Sequence, residues 1–75
     1  MNIRKISIGP DYKSGAMHYI MGQRVLDSSH EIHLIKLNTE KKSFEVYVMN
    51  GNNEVFLWKE FTQMMPIVVE YNINF

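Results

Sequence analysis

Apolar and polar residues alternate over most of this chain, and the alternation is clearest at its end. Ile67, Val69, Tyr71, Ile73 and Phe75 fall on one face of an extended strand, and Val68, Glu70, Asn72 and Asn74 on the other. Successive side chains of a strand point to opposite faces, whereas a helix would scatter these five around its circumference. The pattern predicts a closing strand with one face on the core. Pro66 starts it, because a residue without an N–H suits the first strand position.

The earlier segments read the same way, with interruptions. Residues 3–8 predict a short strand in which Arg4, Ile6 and Ile8 share a face, stopped by Gly9-Pro10-Asp11. Residues 16–26 predict a longer strand with Met17, Tyr19, Met21 and Val25 on one face and Ala16, His18, Ile20 and Leu26 on the other. Both of its faces are partly apolar, and Gly22 marks a bulge or a close backbone approach. In residues 31–38 the phase slips. Ile32 and Leu34 share one face, Ile35 and Leu37 the other, so the strand has a bulge near Leu34–Ile35 or is buried on both sides.

Phe44, Val46 and Val48 then alternate with Glu45, Tyr47 and Met49, a half-buried strand. Asn50-Gly51-Asn52-Asn53 is the strongest turn signal, since Asn and Gly tolerate the positive φ of a tight hairpin. Residues 54–59 should return antiparallel. Leu57, Trp58, Phe61, Met64 and Met65 also fit a helical stripe, so one or two helical turns are expected over 61–65, ended by Pro66, with a full helix from Glu54 as the alternative. The expected fold is all-β or β-dominated: a five- to six-stranded antiparallel meander closed as a small barrel or sandwich, one domain over 1–75, with at most one short helix near 59–65.

Composition narrows the function. The 75 residues contain no cysteine, which excludes disulfides and thiolate zinc sites. Chains of this size bury only about 60% of their unfolded surface, so self-association is an available source of stability and a homo-oligomer is expected. Eight basic and eight acidic residues give zero net charge. The first 37 residues carry five Lys/Arg against three Asp/Glu, and the rest three against five. That polarity is too mild for binding driven by phosphate neutralisation alone. No apolar run approaches the roughly 20 residues of a membrane helix, and no continuous apolar stretch follows the basic residues near the start. A cytoplasmic protein without membrane contact is the expectation.

Candidate chemistry is thin. His30 and His33 are three apart in an extended segment and would face opposite ways, unlike a zinc-protease pair on one helical face. Ser14, Ser28 and Ser29 lie in turn segments, without the sharp strand-to-helix setting of a hydrolase nucleophile. No enzyme, metal site or cofactor is expected. Two binding readings remain. Six methionines supply adaptable apolar surface, and Met17, Tyr19, Met21, Val25, Met64 and Met65 form the candidate protein interface. The alternative is a single-stranded nucleic-acid or nucleotide platform of Tyr47, Phe56 and Trp58 with Lys59 beside them, opposed by Glu45, Glu54 and Glu60 in the same region.

Three stretches carry a resemblance: Ile8-Gly9-Pro10-Asp11-Tyr12-Lys13, Ala16-Met17-His18-Tyr19-Ile20 with Gly22-Gln23, and Glu70-Tyr71-Asn72-Ile73-Asn74-Phe75. Together about a quarter of the chain, they resemble the small early-gene proteins of T-even-type tailed bacteriophages. The resemblance implies expression in the cytoplasm of an infected bacterium. It also implies a non-catalytic accessory role, with a host protein as the partner that is inhibited or modified. None of the three stretches is a functional motif, so no functional residue follows from it.

Overall fold

The computed structural model describes residues 2–9, 16–62 and 66–72. They form seven strands and no helix: β1 (Asn2–Ile8), β2 (Met17–Ile20), β3 (Arg24–Val25), β4 (His30–Asn38), β5 (Ser43–Met49), β6 (Val55–Thr62) and β7 (Ile67–Asn72). Every pairing is antiparallel, in two sheets of order β2-β1-β7 and β3-β4-β5-β6. One of the two curls into a half-barrel, so the all-β expectation describes the molecule.

The core lies between the sheets. Ile3, Ile6, Ile8 and Tyr19 face Ile32, Ile35, Phe44, Val46 and Val48, with Trp58, Phe61, Ile67 and Val69 packed around them. Each fully buried Ile or Val, among them Ile6, Ile32, Val46 and Val48, contributes roughly 1.5–3 kcal/mol.

Three bulges decide which side chains reach this core. Ile3 pairs with Tyr71 and Lys5 with Glu70, leaving Arg4 as an extra residue. Ile32 pairs with Val48 and Leu34 with Tyr47, leaving His33. Val46 pairs with Lys59 and Tyr47 with Leu57, leaving Trp58. An extra residue reverses the alternation beyond it. Ile3, Ile6 and Ile8 are therefore all buried, and the shared face of Arg4, Ile6 and Ile8 is corrected: Arg4 is exposed and bonds Glu70. The phase slip in β4 is likewise a bulge, the first of the two expected readings, with His33 as the extra residue just before Leu34.

The segment 16–26 is not one strand. Gln23 N–H donates to the Ile20 carbonyl at 3.0 Å across a turn whose third residue, Gly22, has φ +85°. A hydrogen-bonded turn with positive φ at the third position is type II, where glycine is favoured. The turn carries the chain from one sheet to the other: β2 pairs with β1, and β3 pairs with β4. Both faces of this segment are partly apolar because it serves two sheets.

The helical turns expected over 61–65 are also corrected in part. β6 continues through Phe61 and Thr62, which pair with Phe44 and Ser43, and Met64 and Met65 lie outside the described residues. Phe61 packs inward from a strand because the Trp58 bulge brings it back into phase. In β7, Ile67 and Val69 pack on the core as expected, but Tyr71 is exposed at the sheet's end. Ile73 and Phe75 lie outside the described residues.

Candidate functional site

Among the described residues, part of the outer face of the four-stranded sheet is uncovered. Register places Leu34, Tyr47 and Leu57 side by side across β4, β5 and β6, with Met49 and Val55 in the next outward row. Leu34, Leu57 and Val55 are 39%, 45% and 45% exposed, while Tyr47 and Met49 are half-buried. Contiguous exposed apolar residues on a small protein mark an interaction surface more often than isolated ones do.

A polar cluster borders this patch and fixes Tyr47. Glu45 is buried on the same side of β5, between Lys36 and Glu60 in register. The Tyr47 hydroxyl donates to Glu45 Oε1 at 3.0 Å and Asn38 Nδ2 to Glu45 Oε2 at 3.4 Å. Lys36 Nζ lies 3.9 Å from the same carboxylate and 5.2 Å from the Tyr47 ring centre. Burial alone would push the Glu45 carboxyl up. The hydrogen bonds from Tyr47 and Asn38, with the charges of Lys36 and Lys41, outweigh it and hold the group below the usual carboxylate range. Glu45 is thus a charged anchor that orients the aromatic ring at the patch centre.

The other candidate residues are dispersed. Met17 is 58% exposed, whereas Tyr19 is buried against Trp58 and Phe61, and Met21 and Val25 pack on the core's margin. The aromatics of the nucleic-acid reading divide between two faces. Tyr47 is outward; Phe56 stands opposite buried Val48 and meets His30 edge-on at 5.4 Å; Trp58 turns inward to Tyr19. Lys59 Nζ sits 5.0 Å from the Trp58 ring.

Two features escaped the sequence pattern. Val55-Phe56-Leu57-Trp58 is a run of four apolar residues, and a strand can bury only alternate ones, so the sequence signals exposed apolar side chains here while only the register with β5 makes them Val55 and Leu57. The second is Ser7, whose hydroxyl lies 2.8 Å from His18 Nδ1 on the neighbouring strand. Such a pair can activate a nucleophile, but Ser7 is only 3% exposed, so the contact fastens β1 to β2. Among the described residues no group of three His, Cys, Asp or Glu side chains is placed to hold a metal, and no helix is long and apolar enough to cross a membrane. Comparison with family models, curated proteins and solved structures found no match.

Proposed function

We propose that this protein is a non-catalytic binding module that engages a protein partner through the outer face of its four-stranded sheet. The observation that carries the reading is the row Leu34–Tyr47–Leu57, flanked by Val55 and uncovered among the described residues. Its aromatic centre is held by Glu45 and Lys36, so little side-chain entropy is lost on contact. Together with the resemblance to small phage early proteins, this favours a bacterial host protein that is inhibited or modified on binding.

A single-stranded nucleic-acid or nucleotide binder is the second reading, supported by Tyr47 with Lys36 beside its ring. It is disfavoured by the carboxylates of Glu45 and Glu60 on the same face and by the zero net charge.

The test is capture from bacterial lysate, followed by titration of the purified captured protein against the native chain and the double variant Leu34→Ser/Val55→Ser. The reading requires affinity to fall at least tenfold in the variant, whose fold is preserved because both sites are exposed. Equal affinity of the two, or steeply salt-dependent binding of single-stranded DNA or RNA in place of a protein, would reject it.

A further inference from the structure

β6 is an edge strand: it pairs with β5 and, among the described residues, with no strand on its other side. Among the described edge strands it exposes the most large apolar side chains. Three of its consecutive residues, Val55, Phe56 and Leu57, are large and exposed. A long apolar edge is a template for another strand and is usually blunted by bulges or by charged side chains. Here the charges are occupied internally. Lys59 Nζ lies over its own Trp58 ring, and Glu60 Oε2 accepts the Ser43 hydroxyl at 3.1 Å.

The bulge has an effect other than blunting. Before it, Val55 and Leu57 face outward and Phe56 inward; after it, Lys59 and Phe61 face inward and Glu60 and Thr62 outward, with Trp58 turned to the core. Read from Val55 to Thr62 the order is out, in, out, in, in, out, in, out. That order is the same in both directions about the Trp58–Lys59 bond. A two-fold axis perpendicular to a sheet continues it antiparallel and keeps each face on its own side, so opposed residues must share a face. For β6 against a second β6, one register satisfies this along the whole strand. It sets Val55 opposite Thr62, Phe56 opposite Phe61, Leu57 opposite Glu60 and Trp58 opposite Lys59, each pair occurring twice.

We infer that β6 is a homodimer edge, pairing with β6 of a second copy in this register and joining the two four-stranded sheets into one. The register places the extra residue of one copy beside that of the other, so both strands have the same length across the centre. It offers each Lys59 cation the partner's Trp58 ring and each exposed Phe56 the partner's Phe61, attractive cross-strand contacts on both sides of the axis. Zero net charge leaves no overall repulsion between copies. The inference is independent of what the outer face binds.

Cross-linking reads the register directly, because the chain has no cysteine of its own. Leu57→Cys mixed with Glu60→Cys should give a disulfide-linked dimer on mild oxidation, and Leu57→Cys alone should not. In sedimentation the native protein should be a dimer and Leu57→Glu, set against the partner's Glu60, a monomer. Leu57→Glu/Glu60→Lys should dimerise again. A native monomer at the highest attainable concentration, a dimer undisturbed by Leu57→Glu, or equal cross-linking of Leu57→Cys with itself would each overturn the inference.

Discussion

Tyr19 of β2 meets Trp58 of β6 edge to face, with ring centres 5.9 Å apart, and so links the edges of the two sheets. The same ring lies 5.2 Å from Phe61. Removing it opens a cavity where no strand pairing can close the gap. Tyr19→Ala should lower stability by about 3–5 kcal/mol, the usual cost of deleting a buried aromatic. Tyr19→Phe keeps the rings and tests the hydroxyl alone. Burial pushes the phenol above its ordinary 10.0, so folding favours the neutral form. The resulting stabilisation is complete below that value and is lost as pH rises through the raised one. Urea midpoints at increasing alkaline pH should fall more steeply for the native protein than for Tyr19→Phe.

Glu45 governs the acid limb with the opposite sign. Its folded carboxyl is held below the ordinary 4.5 because Tyr47, Asn38, Lys36 and Lys41 together outweigh burial. The unfolded chain then binds the proton first. Stability from this group is present above the ordinary value and lost as pH falls through the depressed one. Chemical denaturation from neutral to acidic pH should show a shallower loss for Glu45→Gln. An unchanged slope would mean that Glu45 is not the charged anchor of Tyr47.

Two hairpins share a turn design. Asn38 Oδ1 accepts from the N–H groups of Glu40 and Lys41, and Asn50 Oδ1 from those of Asn52 and Glu54. Each loop ends on a residue of positive φ, Lys42 at 53° and Asn53 at 62°. A lysine pays a steric cost in this region that glycine avoids, against glycine's greater entropy loss on folding. Lys42→Gly should therefore stabilise by up to about 1 kcal/mol, and Asn53→Gly by less, because Asn already tolerates the conformation. Gly22→Ala should destabilise by about 1 kcal/mol or more although a Cβ there meets nothing within 4 Å, since its φ of +85° carries the strain. Thermal unfolding of the three variants reads all three signs.

The strand content was legible because hairpin turns and period-two alternation are local signals. The sharing of 16–26 between two sheets was not: Gly22 announces a special backbone, but a bulge and a sheet-changing turn need the same glycine. At the other end, the Asn50 turn was legible while the placement of its positive φ on Asn53, and not on Gly51, was not. The outer patch was obscured by the bulges. Leu34 read as sharing Ile32's face, until the extra His33 put Leu34 outward beside Tyr47. The polar anchor was hidden for a different reason: a glutamate on a half-wet face reads as solvated until Asn38, seven residues away, and Tyr47 close around it.

The bulges themselves give a sharp test of how the sheets are specified. In β4 the core residues are Ile32 and Ile35, three apart, where regular alternation requires two. His33 is the exposed extra residue, and the pairs on either side of it are in register with β5. Deleting His33 leaves Ile32 inward, Leu34 outward and Ile35 inward without shifting any pair. Deleting Lys36 instead removes a paired residue, turns Leu37 outward and misplaces Asn38 from the loop it caps. The His33 deletion should thus remain folded, within about 1–2 kcal/mol of the native stability expected for loss of a surface residue, whereas the Lys36 deletion should be several kcal/mol worse or unfolded. Circular dichroism and urea unfolding of the two deletions decide it: comparable stability would mean that the His33 bulge does not set the phase of β4.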